Sequence, residues 1–203
     1  MTSTRSKPVI LGASGFSGPN FFDFKERNRV FEHIATFDRA GFTLTGVTSP
    51  EQLQAGRITA DFFKVLGVQP ILGREFLAEE EQDGQNRVAL LSYKLWQRRF
   101  RSDRNIVGQT IRLDEVPYTV AGVLPDFDFS IPDYMRPRDL WVPATLPREN
   151  AQRTHYYLNV IARIRPETTL RGAQQDVDTI TARLAQEYPK AMAGLRMKLM
   201  TPA

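Results

Sequence analysis

The sequence predicts an α+β protein with two lobes, one a discontinuous βαβ lobe and the other an inserted, mostly-β lobe. Three patterns predict this class. Residues 156–164 alternate between apolar and polar side chains, which is typical of a half-buried strand. Residues 170–184 place apolar side chains at steps of three and four, which is typical of an amphipathic helix. Residues 111–120 alternate on both sides of Asp114-Glu115, which indicates a β-hairpin.

The first part of the chain is expected to form a lead-in, a helix and two strands. Residues 1–16 are rich in Ser, Thr and Gly, and they predict a flexible lead-in. Gly18-Pro19 favours the start of a helix, which we expect over residues 20–37 because one face of that segment is apolar. Residues 42–45 and 53–58 then predict two antiparallel strands, and a short helix follows.

The acidic residues 79–83 predict a solvated loop, and a helix then begins at the capping residue Ser92. Trp96 and Phe100 lie four residues apart on this helix and share its buried face. A later helix, from about Thr169, lies between strand 156–164 and an alternating segment at 195–199, which completes the βαβ unit. Its two strands are either parallel neighbours with a right-handed crossover, or they flank an intervening antiparallel strand.

A change in composition after Pro70 divides the predicted lobes. Residues 17–70 together with 140–203 form the first lobe, residues 71–139 form the inserted lobe, and residues 1–16 lead in to the first. A chain of 203 residues with 41% hydrophobic content is long enough for one large core or for two smaller ones.

Composition excludes several kinds of function. The chain has no Cys and only 2 His, so a structural zinc site is excluded and we expect no metal. The formal charge of +4 combines 27 bases with 23 acids, and this mild, mixed charge does not indicate nucleic-acid binding. No run of about 18 apolar residues occurs, so no segment is expected to span a bilayer.

One glycine pattern supports an enzyme as an alternative. Gly12, Gly15 and Gly18 follow the apolar residues 9–11 at a spacing typical of the phosphate-binding turn of NAD(P)-dependent enzymes. Asp38 lies about 20 residues farther on, where an acid binds ribose in such proteins. The rest of the chain lacks the repeated βα alternation of a doubly wound sheet. We therefore expect no cofactor and no catalytic residue, with the NAD(P)-dependent enzyme as the alternative.

A basic cluster supplies a second alternative, a nucleic-acid-binding module. Arg98, Arg99, Arg101 and Arg104 lie beside Trp96, and such modules bind phosphates through arginine and stack bases on aromatic rings. The favoured interpretation is that the ring belongs to the core and that the arginines form the solvated face of the same helix. We therefore expect no nucleic-acid partner.

The candidate docking residues lie in residues 126–139, which we expect to form a long loop. Phe127, Phe129, Tyr134 and Met135 are large and apolar in a stretch with little regular pattern. Aromatic residues exposed on a loop are typical of a surface that binds a partner. In the other interpretation the same residues fold back and cover the hairpin core, and the sequence leaves both open.

Six segments of the chain, taken in order, resemble the MacB-like periplasmic core domain of bacterial ABC-transporter permeases. They are SGPNFFDFKERNRVFEHIATF, AGRITADFFKVLGVQPILGREFLAEE, VALLSYKLWQRRF, NIVGQTIRLDEVPYTVAGVLP, LWVPA and YYLNVIARIRPETTLRGAQQDVDTITARLAQEYP. They fall between residues 17 and 189, which is most of the chain. Their order makes the resemblance more specific than any single segment does.

The resemblance implies a function in transport rather than in catalysis. It implies a porter-like lobe, similar to the porter subdomains of multidrug efflux pumps, and an inserted mostly-β lobe. It places the domain in the periplasm, between the first transmembrane helix of an inner-membrane permease and the later ones. The implied function is to couple ATP-driven transmembrane motion to export or to partner docking in the periplasm. Any ATPase activity would reside in a separate domain or chain.

The resemblance also implies a set of partners. These are the transmembrane helices of the same permease, its ATP-binding subunit or domain, and a periplasmic adaptor. It further implies that the isolated domain is a monomer and that the full permease is a dimer.

Overall fold

The structure is a computed structural model that describes residues 8–46, 49–127, 138–147, 152–192 and 194–201, without the side chains of residues 12–15. Within these ranges the chain forms ten β-strands and four α-helices, which confirms the predicted α+β class. No helix in these ranges is long and apolar enough to cross a membrane.

Strands and helices alternate irregularly along the chain. The strands are β1 (Pro8–Phe16), β2 (Phe31–Thr45), β3 (Glu51–Ile58), β4 (Leu72–Gly73), β5 (Val88–Leu91), β6 (Thr110–Leu113), β7 (Val116–Val123), β8 (Leu140–Pro143), β9 (Leu158–Ile164) and β10 (Leu199–Met200). The helices are α1 (Gly18–Arg27), α2 (Phe62–Leu66), α3 (Tyr93–Phe100) and α4 (Leu170–Glu187), with short 3₁₀ helices at Ala78–Glu81 and Arg104–Ile106.

The chain divides into two compact units. Unit 1 comprises Met1–Thr36 and Leu146–Pro202, and unit 2 comprises Phe37–Thr145. These boundaries differ from the lobe boundaries that we predicted at residues 70 and 140. The difference arises because β3, which we assigned to the first lobe, pairs with β2 and β8 inside unit 2.

Unit 1 contains β1, β9, β10 and the first part of β2. β1 is antiparallel to both β9 and β10, with Ile10 opposite Ile161 and Met200. β9 and β10 therefore run in the same direction with β1 between them, which is the second of the two arrangements left open for the βαβ unit. The flexible lead-in predicted for residues 1–16 is wrong for Pro8–Phe16, because hydrogen bonds to strands on both sides order this segment.

Helix α1 ends earlier than we predicted. The side-chain amide nitrogen of Asn28 donates to the carbonyl oxygens of Phe24 and Lys25, each at 3.0 Å. These bonds satisfy carbonyl groups that have no partner at a helix end. The chain then extends, and β2 begins at Phe31. The helix predicted over 20–37 is therefore wrong beyond its first half.

The core of unit 1 is formed by the apolar faces of its strands and of helices α1 and α4. Thr169 Oγ1 accepts the N–H of Gly172 at 3.1 Å, which confirms the predicted N-cap of α4. The buried side chains include Leu11, Phe16, Phe21, Phe24, Val160, Ala162, Ala173, Val177, Ile180 and Leu184.

The strands of unit 2 close into a six-stranded barrel. Hydrogen-bonded neighbours follow the order β2, β3, β8, β5 and β7, while β6 pairs with both β7 and β2 and so completes the ring. The β6–β7 hairpin turns at Asp114 and Glu115, as predicted, and both residues have positive φ. Closure of this kind pairs the exposed edges of a sheet. Strand β4 pairs with β7 beyond the end of β6.

The barrel is filled by apolar side chains, and α3 covers one end. Ser92 Oγ accepts the N–H of Leu95 at 3.1 Å, so this predicted N-cap is confirmed. Leu95 and Trp96 pack into the barrel cluster, because α3 follows directly from the end of β5. The strand residues of this cluster include Phe42, Leu44, Leu53, Ala55, Ala89, Leu91, Ile111, Leu113, Val120, Leu140 and Val142.

Candidate docking surface

The candidate docking segment, residues 126–139, is described only at its two ends. Phe129, Tyr134 and Met135 lie outside the described residues. Asp126 and Phe127 form the described N-terminal end, and residues 138–139 form the C-terminal end. The structure therefore shows how the barrel holds the base of this segment.

Phe127 belongs to an aromatic cluster on the outside of the barrel. Its ring is half-buried and lies 6.3 Å from the ring of Phe63 and 6.4 Å from that of Trp141, between centroids. Phe63 and Trp141 are themselves in edge contact at 5.4 Å. Edge-to-face and offset pairs of this kind stabilise a fold beyond the area that they bury. Phe127 thus contacts rings of α2 and β8, and its role in docking stays a prediction.

Asp139 fixes the other end of the segment. Its carboxylate accepts the backbone N–H of Gln54 at 2.8 Å and a guanidinium N–H of Arg98 at 2.9 Å. Its own N–H donates to the carbonyl of Gln54 at 2.7 Å, and its carbonyl accepts the N–H of Ser92 at 2.8 Å. One residue thus joins β3, the start of β8 and the N-terminus of α3. The sequence analysis missed this role because an Asp beside a strand looks like an ordinary turn residue.

The arginines of α3 are engaged in ion pairs rather than free. Arg98 contacts Glu51 at 2.6 Å as well as Asp139, and Arg99 Nε lies 2.9 Å from Glu51. Partial burial alone would lower the pKa of Arg98, but the hydrogen bonds that its guanidinium donates to these carboxylates outweigh it and raise that pKa. Trp96 is 7% exposed, and its indole N–H donates to the carbonyl of Asp103 at 2.8 Å. Arg98 and Arg99 are thus paired with carboxylates and the Trp96 ring is buried, which favours the interpretation of a core ring on a helix with a basic outer face.

The glycine pattern does not form a phosphate-binding turn. Gly12 and Gly15 lie inside β1, and Gly18 is the first residue of α1. A dinucleotide site needs the glycines in the turn between a parallel strand and its helix, whereas β1 pairs antiparallel on both sides. The NAD(P) alternative built on these three glycines is contradicted by this topology.

The acidic segment 79–83 is only partly a solvated loop. Glu80 is 6% exposed and receives two hydrogen bonds from the guanidinium of Arg74, at 2.6 and 3.0 Å. Glu81 accepts the backbone N–H of Ala60 at 2.6 Å. The prediction was wrong for these two residues because they tie the segment to the barrel. Among the described residues, no three His, Asp or Glu side chains are grouped so that they could hold a metal ion.

A side chain of α4 holds the short strand β10 in unit 1. The amide of Gln174 donates from Nε2 to the carbonyl of Met197 at 2.9 Å and accepts the N–H of Leu199 at Oε1, also at 2.9 Å. Nε2 also donates to Asp178 at 2.8 Å. We call the pair of bonds to Met197 and Leu199 the Gln174 bracket. Sequence reasoning missed it because a polar residue on an amphipathic helix is usually part of the solvated face.

Comparison with known families identifies the chain. The profile of the family described as "MacB-like periplasmic core domain" matches residues 4–180. The chain belongs to this family. The resemblance carried by the six sequence segments is therefore confirmed. The domain is extracytoplasmic and belongs to a MacB-like ABC-type permease, a kind of transporter that has a transmembrane region and an ATP-binding partner.

Solved structures share the fold at low sequence identity. A domain assigned to a permease protein of Porphyromonas gingivalis has a TM-score of 0.70 and 17% identity, with 98% of this chain and 90% of that chain covered. The periplasmic region of MacB from Actinobacillus actinomycetemcomitans has a TM-score of 0.63 and 14% identity, with coverage of 97% and 89%. The extracellular domain of the noncanonic ABC-type transporter YknZ from Gram-positive bacteria has a TM-score of 0.61 and 14% identity, with coverage of 96% and 100%. No curated protein matches the chain.

Proposed function

We propose that this domain couples ATP-driven motion of the permease's transmembrane helices to export or to partner docking in the periplasm. The observation that carries the proposal is the family match over residues 4–180, supported by the fold shared with a periplasmic region of MacB and an extracellular domain of YknZ. In this proposal the domain does no chemistry of its own. ATP is hydrolysed by the ATP-binding partner, and the full permease works as a dimer.

Unit 1 is the part of the domain that we propose receives the motion. β1 and β10 are antiparallel neighbours, with Leu11 opposite Leu199 and Ile10 opposite Met200. The chain therefore enters β1 and leaves β10 at the same end of this strand pair. In a permease with transmembrane helices before and after the domain, both connections act on one pair of hydrogen-bonded strands.

The Gln174 bracket makes this connection firm. β10 has only two residues, so its pairing with β1 supplies few hydrogen bonds. Gln174 accepts the N–H of Leu199 in β10 and donates to the carbonyl of Met197 just before it, which attaches this segment to α4, whose apolar face is buried in the core of unit 1. Displacement of β10 is thereby transmitted to the whole helix instead of being absorbed by fraying of a short strand.

Unit 2 is the part that we propose contacts a partner, through Phe129, Tyr134 and Met135. The support is the way in which the barrel holds both ends of their segment, through Phe127 on the aromatic cluster and Asp139 on three elements. A binding segment on a fixed base loses less conformational entropy when it binds. In this proposal Phe127 holds the segment on the barrel and does not itself contact the partner. A periplasmic adaptor is the partner that we propose.

Serine substitution of Phe129, Tyr134 and Met135 in the full permease tests this proposal. We expect ATP-dependent export to fall while ATP hydrolysis by the purified permease persists, because the ATP site lies elsewhere. The matched control replaces Val107 and Leu170, which are 37% and 44% exposed and lie outside the segment. Export that is unchanged in the triple variant, or reduced equally in the control, would overturn the docking assignment.

A further inference from the structure

The barrel end opposite α3 carries two arginines whose guanidinium groups lie over aromatic rings at the end of its core. The guanidinium carbon of Arg57, near the end of β3, lies 5.8 Å from the centroid of the Phe42 ring. That of Arg87, just before β5, lies 5.6 Å from the centroid of the Tyr118 ring. The two rings are in edge contact at 5.9 Å. Two cations and two rings thus form one continuous group at this mouth of the barrel.

These two guanidinium groups have no carboxylate partner among the described residues. Elsewhere in unit 2, Arg74, Arg98 and Arg99 each hold a carboxylate at 2.6 to 2.9 Å. Arg57 and Arg87 are exposed, and among the described residues their guanidinium groups contact the rings of Phe42 and Tyr118. The barrel mouth therefore carries positive charge that no carboxylate among the described residues neutralises.

The acid nearest to this group in the strand register does not neutralise it. Asp38 is the cross-strand neighbour of Arg57 in the β2–β3 pair. Its carboxylate accepts the backbone N–H of Arg39 at 2.7 Å. Among the described residues, this carboxylate forms no salt bridge with the guanidinium of Arg57. The guanidinium of Arg57 is therefore still available to an acid from outside.

An arginine that contacts a ring can still bind a carboxylate through its N–H donors. A guanidinium uses its flat face on a ring, whereas its N–H donors lie in its plane and bind carboxylates there, often two at a time. The ring also holds the long side chain in place, which reduces the entropy lost on binding. Mouths of β-barrels are frequent binding sites, because the ends of several strands surround one point there.

We propose that this mouth binds an acidic peptide segment of a protein partner, with Arg57 and Arg87 each holding a carboxylate. A peptide fits better than an anionic lipid surface, because membrane binding also needs apolar side chains that insert into the bilayer. The rings at the mouth are not free to insert: Phe42 is 8% exposed and Tyr118 is half-buried. The proposal uses none of the residues 126–139, and it does not depend on the function proposed above.

Two double variants of equal charge test the proposal. Arg57→Gln with Arg87→Gln removes the pair at the mouth, and Arg101→Gln with Arg104→Gln removes two exposed arginines that contact no ring among the described residues. The probe is a fluorescent ten-residue polyglutamate peptide, and the measurement is its anisotropy with the 203-residue chain at low salt. We expect the mouth variant to raise Kd about tenfold and the control to change it less than twofold. Urea unfolding verifies that both variants are folded.

Three results would overturn the proposal. The first is an equal loss in both variants, which means that only net charge matters. The second is no binding of the peptide by the unsubstituted chain. The third is a loss of binding to vesicles of anionic phosphatidylglycerol in the mouth variant without a loss of peptide binding, which would assign the mouth to a lipid surface instead.

Discussion

Replacement of Gln174 by Met should release β10 while leaving α4 folded. Methionine has a similar length but can neither accept the N–H of Leu199 nor donate to the carbonyl of Met197. The bracket contributes two hydrogen bonds of 2.9 Å, and a typical protein hydrogen bond contributes about 0.5–1.5 kcal/mol. The expected loss in the local stability of β10 is therefore about 1–3 kcal/mol.

Amide hydrogen exchange measures this loss directly. The N–H of Leu199 has the Gln174 oxygen as its acceptor, so its protection depends on the bracket. A loss of about 1–3 kcal/mol corresponds to exchange about 5- to 150-fold faster, because about 1.4 kcal/mol is a factor of ten. The amide of Val177, in the buried face of α4, should keep its protection.

The neighbouring Gln175 gives a matched control. Gln175 is exposed, and its side chain makes no hydrogen bond among the described residues, so Gln175→Met should leave the exchange of Leu199 unchanged. If Gln174→Met also left the exchange of Leu199 unchanged, the bracket would not hold β10. Equal acceleration at Leu199 and Val177 would likewise contradict the reasoning, because it would mean that the helix itself had loosened.

Three further substitutions test the packing and charges of unit 2. Gly122→Ala should lower the free energy of unfolding by about 1–3 kcal/mol, because an added Cβ lies 2.6 Å from the carbonyl oxygen of Leu72. The control is Gly41→Ala, whose added Cβ lies 3.8 Å from the nearest backbone atom. It should lower the free energy of unfolding by less in the same urea titration. Burial acts to raise the pKa of Glu80, but hydrogen bonds from Arg74 and a backbone N–H outweigh it and lower that pKa. The stability from this ion pair is therefore present above the ordinary glutamate pKa and lost as the pH falls through the lowered one, and Glu80→Gln should flatten this pH dependence. Glu115→Gly should raise the free energy of unfolding by roughly 1 kcal/mol, and with it the urea midpoint, because Glu115 has a φ of 65° in the hairpin turn. An unchanged or lower midpoint would mean that the turn stores no such strain.

Local patterns in the sequence predicted the elements whose signals are local. The caps at Ser92 and Thr169 and the turn at Asp114-Glu115 depend on side-chain and backbone preferences within a few residues. The same holds for the antiparallel pairing of β2 with β3, since these strands are close in sequence and alternate on one face. Each of these predictions is confirmed.

The features that the sequence did not predict depend on distant contacts. Residues 31–36 carry apolar side chains at helical steps, yet they form β2 because the strand completes sheets in both units. The closure of the barrel through β6 has no local signal, since it joins Leu44 to Leu113 across the chain. The burial of Glu80 has no local signal either, because a glutamate usually indicates an exposed position. Here the ion pair with Arg74 neutralises the buried charge.

The central claim, that ATP-driven motion reaches this domain, can be measured in the full permease. The domain contains no Cys, so Gln97→Cys, at an exposed position of α3, provides one labelling position per copy once other cysteines of the permease are replaced. Donor and acceptor dyes on the two copies of a reconstituted dimer then report the distance between the domains. We expect energy transfer to change when ATP and Mg²⁺ are added, and the change to disappear when the ATP-binding partner cannot bind nucleotide. Equal transfer with and without ATP, while ATP is being hydrolysed, would contradict the claim.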